Sequence, residues 1–312
     1  MKERVLITDD VHESLLIDLH KLGFEVDYLP TISLLDTKSS IHDYHGVIIN
    51  SKIKVDIDFL EKAQKLKFIA RLGSGLDIID LEAAKLKAVQ VINSPGGNAN
   101  AVGEHALGML LCLANNIHIS DAEVRKFKWR REKNRGFELA HKRIGIVGFG
   151  HTGTQFAKKM SGFELQIFAY DKYKQDYVQE FDHVREVDYK SIFACDIISF
   201  HLPLTAETHY FCDRDFLNRC KKGVIIINTS RGHVVNIKDL VDGLDTGQVG
   251  GACLDVFENE NVGSFSNDEL SVYNRLYQMD QVVLTPHIAG WTHESKEKIA
   301  KIIVEKIERL YI

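Results

Sequence analysis

The chain has 312 residues, of which 45% are hydrophobic and 27% charged, and its formal net charge is −5. This length favours two domains over one, and the composition is typical of a globular protein rather than a disordered or fibrous one. The negative charge and the lack of long apolar runs predict neither a nucleic-acid partner nor a membrane span, and no signal peptide is predicted. Five cysteines without a CxxC pair predict reduced structural thiols, no metal site and a cytoplasmic location.

Short β-branched runs alternate with helical patterns along the chain, which is typical of βαβ units around parallel sheets. A first series of strands is predicted at Val5–Thr8, Phe24–Tyr28, Gly46–Ile49, Phe68–Arg71 and Val89–Ile92. A second series of six is predicted at Arg143–Val147, Gln166–Asp171, Asp196–Phe200, Gly223–Asn228, Gly250–Leu254 and Gln281–Leu284. Six strands suffice for a complete doubly wound sheet.

Apolar residues recur at helical spacing in Asn98–Ile119, between the two series, and again in Thr292–Tyr311. The first segment is predicted to be a helix that links two domains, and the second a helix that returns to the first domain. That domain is then discontinuous, with the other inserted into it. The predicted boundaries are 1–95 plus 291–312 for one domain and 96–290 for the other.

The motif Gly148-Phe149-Gly150-His151-Thr152-Gly153 lies between a strand pattern and a helical run. In this context its first glycine allows a tight turn, the second lets a pyrophosphate approach, and the third allows close helix packing. Asp171 ends the next strand, where a carboxylate can accept hydrogen bonds from both hydroxyls of an adenine ribose and would repel a 2′-phosphate. The motif therefore predicts an NAD site rather than an NADP site. The alternative is a glycine-rich turn without a ligand.

Three further polar groups follow strands of the second series, whose carboxyl ends share one edge of the sheet. Arg231 follows Gly223–Asn228, and its planar guanidinium can bind a carboxylate with two hydrogen bonds. The acids Glu258 and Glu260 follow the next strand, and His287 follows the last. A buried imidazole beside a carboxylate has a raised pKa and suits proton transfer. A surface arginine and a structural histidine are the alternatives.

Taken together, these motifs resemble the D-isomer-specific 2-hydroxyacid dehydrogenases over almost the whole chain. The resemblance is carried by the glycine motif and by Arg71–Asp77 with Asp80, Asn93–Gly96, Ala101–Glu104, His201–Thr205, Lys222–Gly232, Asp255–Phe257, Glu260 and Thr285–His287. It implies the fold class α/β with two doubly wound parallel-sheet domains, in which a Rossmann NAD-binding domain is inserted into a flavodoxin-like substrate domain. It also suggests a homodimer that packs through the linking helix and the arm around Trp129.

The resemblance also implies a role for each matching residue. Arg231, Glu260 and His287 take the catalytic positions, in which His287 is held by Glu260 and exchanges a proton with the substrate oxygen. Asp171 binds the adenine ribose, and Asp255 lies near the nicotinamide carboxamide. The remaining cofactor residues are Gly148, Gly150, His151, Thr152, Gly153, Leu202, Pro203, Thr229 and Ser230, and the substrate residues are Asn50, Arg71, Ser74, Gly75 and Arg231.

The motif wording most resembles the phosphoglycerate dehydrogenase branch of the family, in a short form without a serine-binding regulatory module. The cations expected to bind a phosphate are Arg71, Lys54 and the basic segment Arg125–Arg135, for which a solvated helix face is the alternative. That branch typically has arginine where Asn50 stands, which weakens the phosphate assignment. A glyoxylate or hydroxypyruvate reductase is therefore a second hypothesis, and an NAD-sensing corepressor-like binding protein a third.

The stretch Glu258–Ser271 is rich in Asn, Ser and Gly and is predicted to be a surface loop. Within it, Asn261 replaces the proline that the family usually has after the glutamate. This departure leaves the conformation of the loop around Glu260 open.

Overall fold

Two parallel sheets organise residues 2–311, which the computed structural model describes. One compact unit contains the residues up to Asn98 together with those from Trp291 onwards, and the other contains Ala99–Gly290. We call them the first and the second unit. The chain leaves the first unit after Asn98 and re-enters it at Trp291.

The strands are β1 Arg4–Ile7, β2 Glu25–Tyr28, β3 Gly46–Ile49, β4 Phe68–Arg71, β5 Gln90–Asn93, β6 Arg143–Val147, β7 Gln166–Tyr170, β8 Val184–Glu186, β9 Ile197–Phe200, β10 Val224–Asn228, β11 Val249–Leu254 and β12 Val282–Leu284. The α-helices are α1 Glu13–Lys21, α2 Leu34–Ser40, α3 Ile57–Lys62, α4 Leu81–Leu86, α5 Ala99–Ala114, α6 Ile117–Val124, α7 His151–Met160, α8 Tyr189–Ile192, α9 Arg214–Arg219, α10 Ile237–Thr246, α11 Asn267–Tyr277 and α12 His293–Glu308. No helix among these described residues is long and apolar enough to cross a membrane.

The first unit contains the five-stranded sheet, in the flavodoxin-like order β2-β1-β3-β4-β5. Its short helices begin at side-chain caps, such as those that Asp56 gives α3 and Asp80 gives α4. The apolar side of α12 is buried in the same core cluster as β1, through Ala300, Ile303 and Ile307. Burial of this stripe holds the C-terminal helix on the first unit.

The second unit contains the seven-stranded sheet, in the order β12-β11-β10-β9-β6-β7-β8. This is the Rossmann order with one additional strand beyond the sixth, and the order reverses between β6 and β9. The core lies on both faces of the sheet, since one cluster of buried side chains includes α9 and α10 and another includes α5 and α7. The predicted fold class is therefore confirmed: two doubly wound parallel sheets, one inserted in the other.

Two predicted elements of the second unit were wrong in detail. The sheet has seven strands rather than six, because the prediction omits β8, whose three residues include only one buried side chain, Val184. The linking segment Asn98–Ile119 is not one helix, because it contains the whole of α5 and the start of α6. The break is at Asn116, whose φ of 51° is left-handed and cannot continue an α-helix.

Two surface segments also differ from the prediction. The loop predicted at Glu258–Ser271 ends early, because Ser266 and Glu269 form a reciprocal capping box that begins α11. The basic segment Arg125–Arg135 is not a helix face, since α6 ends at Val124 and turns follow it.

Candidate active site

The glycine motif forms the turn between β6 and α7. Gly148 has a φ of +91°, which L side chains rarely adopt, and a Cβ there would collide with the carbonyl oxygen of His201. A Cβ on Gly153 would collide with the carbonyl oxygen of Gly148, whereas Gly150 faces open space. The first backbone N–H groups of a helix have no intrahelical partner, and no side chain caps those of α7, which begins at His151. The turn therefore fits the phosphates of a dinucleotide.

Asp171 follows β7 and is oriented by backbone hydrogen bonds. Its Oδ2 accepts from the N–H of Phe149 at 2.9 Å, and its Oδ1 accepts from the N–H of Tyr173 at 3.0 Å. The hydroxyl of Tyr177 accepts from the N–H of Asp171 at 3.0 Å. Asp171 and both tyrosines line a depression of about 660 Å³. A carboxylate held in this way can accept hydrogen bonds from the hydroxyls of an adenine ribose.

Two buried polar atoms lie where β9 and β10 end. The ring of His201 packs on Phe156 with the ring centroids 5.4 Å apart, and its Nε2 lies 2.9 Å from the hydroxyl of Ser199. Burial lowers the pKa of His201 to about 3, so its imidazole is neutral near pH 7. Its Nδ1 and the hydroxyl of Thr229 are buried without a hydrogen-bond partner among residues 2–311. Such atoms call for a partner, which a bound cofactor or an ordered water would supply.

The other predicted cofactor residues lie around the same edge of the sheet. Thr152 belongs to the first turn of α7, and Leu202 packs beside the first glycine of the motif. The carbonyl of Pro203 accepts a hydrogen bond from the hydroxyl of Thr208, in the same loop, at 2.6 Å. Ser230 donates from its N–H and its hydroxyl to Oδ1 of Asn228, at 3.1 and 2.8 Å. Backbone and side-chain hydrogen bonds thus fix these loops in place.

Arg231 follows β10 in a loop that is tied to the strand. The side-chain amide of Asn228 donates to the carbonyl of Arg231 at 2.9 Å, and Nη1 of Arg231 donates to the carbonyl of Ser230 at 2.7 Å. Gly232 lies so close to Phe257 that a Cβ would collide with the Phe257 carbonyl. This close approach brings the loop after β10 beside the loop after β11.

His287 and Glu260 form a hydrogen-bonded pair. Nδ1 of His287 lies 2.9 Å from Oε2 of Glu260, and the two side chains are 49% and 44% exposed. Burial would raise the pKa of Glu260, but the hydrogen bond and charge of His287, the N–H of Phe257 and the charge of Arg231 together lower it. Glu260 is therefore ionised near neutral pH and fixes one imidazole nitrogen. The other nitrogen, Nε2, is left for proton exchange with a substrate.

Glu258 lies in the same loop but makes different contacts. Its Oε2 accepts from the hydroxyl of Tyr210 at 3.1 Å, and its Oε1 accepts from the N–H of Ile237 at 2.7 Å. It therefore anchors the loop to the start of α10. The side chain of Asn261 accepts from the N–H of Gly263 at 3.2 Å and caps a short 3₁₀ turn. Asparagine stabilises the loop conformation here, where the family usually has proline.

Asp255 is only 1% exposed, and both of its carboxylate oxygens are engaged. Oδ1 accepts from the hydroxyl of Thr285 at 2.6 Å and from the N–H of Ile288 at 2.8 Å. Oδ2 accepts from the N–H of Ala289 at 2.8 Å. These bonds tie Asp255 to the segment that carries His287. Its contact with a nicotinamide carboxamide stays a prediction.

The predicted substrate residues of the first unit follow β3 and β4. Arg71 ends β4, and its Nη1 donates to the carbonyl of Leu72 at 3.2 Å. The carbonyl of Ser74 accepts from the side-chain amide of Asn93 at 2.8 Å, and Gly75 follows in the same loop. The loop after β4 is therefore supported from β5.

Asn50 stands directly after β3, beside a carboxylate. Its N–H donates to Oδ2 of Asp9 at 2.9 Å, and the hydroxyl of Thr8 donates to the same oxygen at 2.7 Å. This negative charge lies next to the position at which the phosphoglycerate branch typically has arginine. It disfavours a phosphate there, because like charges repel.

The basic segment Arg125–Arg135 is exposed, and several of its cations are paired with acids. Arg130 and Lys133 lie 3.4 and 3.7 Å from Oε1 of Glu123, and Arg125 lies 2.7 Å from Asp121. Such exposed pairs are screened by solvent and contribute little to stability. They fit a solvated surface better than a phosphate site.

Three residues near this site were missed by the sequence interpretation. Tyr177 supports Asp171, and Lys174 donates to the carbonyl of Phe149 at 2.7 Å. Neither belongs to a recognisable motif. The third, His105, lies on the buried side of α5, one position after the Ala101–Glu104 motif, and its Nε2 is 3.0 Å from the hydroxyl of Thr285. A histidine between buried apolar positions of a helix is the signal that could have found it.

Comparison with protein families gives a match over residues 107–289 to the model described as "D-isomer specific 2-hydroxyacid dehydrogenase, NAD binding domain". Among similar proteins, the D-3-phosphoglycerate dehydrogenase of Archaeoglobus fulgidus is 34% identical over 305 residues, which are 97% of this chain and 56% of that protein. The hydroxypyruvate reductase of Thermotoga maritima is 37% identical over 262 residues, which are 84% of this chain and 83% of that protein. The chain thus spans little more than half the length of the first relative.

Among solved structures, the D-lactate dehydrogenase of Aquifex aeolicus in complex with NAD and lactic acid matches with a TM-score of 0.85 at 26% identity. The match covers 98% of this chain and 95% of that one. The structure of the TT0316 protein of Thermus thermophilus has a TM-score of 0.86 at 27% identity, covering 99% and 96% of the two chains. Both units of the fold are therefore found together in solved proteins.

Proposed function

Because the chain belongs to the D-isomer-specific 2-hydroxyacid dehydrogenase family, we propose that it transfers hydride between NAD(H) and a 2-hydroxy or 2-oxo acid. The observation that carries this proposal is the hydrogen bond of 2.9 Å between His287 and Glu260, at the same sheet edge as Arg231 and the glycine turn. An imidazole with one nitrogen fixed by a carboxylate and a neighbouring guanidinium is an arrangement suited to proton transfer at a carboxylate-bearing substrate.

In the proposed reaction, the residues of the site move the substrate proton and bind the substrate carboxylate. Bound NAD supplies the hydride acceptor, and its reduced form the donor. In oxidation, Nε2 of neutral His287 takes the proton of the substrate 2-hydroxyl as C2 loses hydride, and Glu260 stabilises the resulting imidazolium. In reduction, His287 returns that proton to the forming alkoxide, whose charge Arg231 offsets. Arg231 also binds the substrate carboxylate.

For the substrate, we propose D-3-phosphoglycerate, oxidised to 3-phosphohydroxypyruvate at the entry to serine synthesis. Supporting this are the name of the Archaeoglobus fulgidus relative and the motif around Arg71, whose guanidinium suits a phosphate. The chain is also expected to form a homodimer and to act in the cytoplasm. Gel filtration that gives twice the monomer mass of 35.4 kDa supports the dimer, and a monomer mass contradicts it.

A second candidate, a glyoxylate or hydroxypyruvate reductase, is favoured by the carboxylate of Asp9 beside Asn50. In this case the substrate has no phosphate, and the arginine is not needed. The hydroxypyruvate reductase of Thermotoga maritima, which the chain covers over most of its length, supports the same alternative. An Asn50→Arg variant separates the two: it should increase kcat/KM for a phosphorylated acid only if that acid reaches the loop after β3.

The test measures NADH oxidation by the purified protein with 3-phosphohydroxypyruvate, hydroxypyruvate and glyoxylate in parallel. We expect His287→Ala to lower kcat by roughly 10²- to 10⁴-fold, as loss of a general acid–base residue does, and Arg231→Ala to raise the KM for the oxo acid as well. His293→Ala is the matched control, since His293 is an exposed histidine at the start of α12. Preference for the phosphorylated acid supports the first substrate, and preference for the others the second.

Activity of His287→Ala close to that of the unmodified protein would contradict the assigned mechanism. No detectable NADH oxidation with any of the three acids, together with intact NAD binding, would instead favour the corepressor-like sensor. Isothermal titration with NAD supplies that second measurement and does not depend on turnover.

A further inference from the structure

Helix α5 contacts the carboxyl edge of the second sheet through a chain of three side chains. Nε2 of His105 lies 3.0 Å from the hydroxyl oxygen of Thr285, and that hydroxyl lies 2.6 Å from Oδ1 of Asp255. The carboxylate can only accept, so the Thr285 hydroxyl donates to it and accepts from His105. Since β11 pairs with β12 at Leu254 and Leu284, Asp255 and Thr285 stand side by side at the next register position.

The same aspartate holds the backbone of His287 and of the two residues that follow it. The N–H of His287 donates to the carbonyl of Asp255 at 2.7 Å. The next two backbone N–H groups, those of Ile288 and Ala289, each donate to its carboxylate at 2.8 Å. Three consecutive amides are therefore directed at a single buried residue.

His287 needs this support because its backbone is in an unfavourable conformation. Its φ of 57° lies in the left-handed region, which residues with a Cβ seldom occupy. Such conformations persist only where the surrounding structure holds them, and they cluster at functional sites. If the backbone relaxed, the imidazole would leave its place beside Glu260.

We propose that the chain His105–Thr285–Asp255 positions His287, by locking its left-handed backbone so that the imidazole stays aligned with Glu260. Thr285 and His105 act through Asp255 and are positioning residues. The proposal deepens the proposed dehydrogenase activity and rests on it for its kinetic test. The position of the His287 imidazole beside Glu260 can also be tested without turnover.

The central test replaces Thr285 with valine, which keeps the branched shape and removes the hydroxyl. We expect kcat to fall about tenfold, because small displacements of a catalytic group reduce the rate strongly, while the KM for the oxo acid and the Kd for NADH change by less than about twofold. Thr285→Ser retains the hydroxyl and should restore kcat. Thr37→Val is the matched control, since Thr37 is fully buried in the first unit and its hydroxyl also donates to one acceptor.

A double substitution shows whether the effect passes through His287. In a His287→Ala background, Thr285→Val should lower kcat no further, because the residue that it positions is already gone. An unchanged tenfold loss in that background would overturn the proposal, as would wild-type kcat in Thr285→Val itself. If Thr285→Val does not fold, His105→Leu tests the outer link of the same chain, with a smaller expected loss of about threefold.

A crystal structure of Thr285→Val, or of His105→Leu in its place, separates this proposal from the proposed function. We expect His287 to move from its position 2.9 Å from Glu260, and an unchanged contact would overturn the positioning role even if the protein has no dehydrogenase activity. Conversely, if the unmodified protein does not oxidise NADH, the proposed function is contradicted, but the positioning of His287 can still be tested by the crystal structure.

Discussion

Replacing His201 with phenylalanine should make the second unit less sensitive to acid. His201 is 8% exposed, its ring packs on Phe156, and its Nε2 contacts only the hydroxyl of Ser199. No carboxylate among residues 2–311 lies within hydrogen-bonding distance of either ring nitrogen. Protonation would therefore place an uncompensated charge in the core, which is why burial lowers the pKa to about 3.

The magnitude follows from the difference between the folded and unfolded pKa. An unfolded histidine titrates near 6.5, and His201 in the folded protein titrates near 3. Between these values the unfolded state binds one more proton, so the free energy of unfolding falls by about 1.4 kcal/mol for each pH unit below 6.5. This contribution is fully present above pH 6.5 and is lost as the pH falls. Between pH 7.5 and pH 5 it amounts to about 2 kcal/mol.

The assay is urea unfolding, followed by circular dichroism at pH 7.5 and pH 5. The unmodified protein should lose about 2 kcal/mol more over this interval than His201→Phe, in which the titrating group is absent. Ser199→Ala is the matched control: it removes the hydroxyl bond but keeps the histidine, and should retain the full pH dependence. Equal pH dependence in the unmodified protein and in His201→Phe would refute the reasoning, since it would mean that His201 titrates alike in both states.

Two further predictions concern the cofactor site. Gly153→Ala should weaken NAD binding and destabilise the second unit by about 1–3 kcal/mol, because its Cβ would collide with the carbonyl of Gly148; Gly162→Ala, which meets nothing within 4 Å, should leave calorimetric binding and thermal unfolding unchanged. Asp171→Ala should raise the Kd for NAD about tenfold, with loss of hydrogen bonds to a charged acceptor, and reduce the discrimination against NADP; titration with both nucleotides measures this, and unchanged preference would contradict the ribose assignment.

Much of the fold follows from local pattern, and the exceptions have local causes. The strand Val224–Asn228 is buried along its whole length, so a continuous apolar run in the sequence predicts it. The edge strand Val184–Glu186 buries one side chain and pairs with a single neighbour, so nothing in its sequence separates it from a loop. Likewise, Asn116 ends a helix through its backbone conformation, which an apolar periodicity that continues across it does not reveal.

The candidate site was predictable where residues follow strands directly. Parallel strands bring their carboxyl ends to one edge, and this rule places Arg231, Glu260 and His287 in adjoining loops on the strength of the strand pattern. Choosing between Glu258 and Glu260 depended on the family resemblance, since spacing alone does not say which carboxylate faces the histidine. In the structure Glu260 is bonded to His287, and Glu258 binds the start of α10. Their catalytic roles stay predictions that the kinetic variants test.

The support for His287 could not be predicted from local pattern, because it depends on the register across the sheet. One position beyond the paired ends of β6, β9, β10, β11 and β12 stand, in that order, Gly148, His201, Thr229, Asp255 and Thr285. Glycine at the first position leaves room for the phosphate turn, and the next three are polar residues buried at the level where the apolar core ends. The same row therefore presents polar atoms without a partner at His201 and Thr229 and, beside Thr285, an aspartate that accepts hydrogen bonds at both carboxylate oxygens. A cofactor or an ordered water can satisfy His201 and Thr229, whereas Asp255 already accepts three hydrogen bonds from the segment that carries His287, so one row of residues serves both binding and positioning.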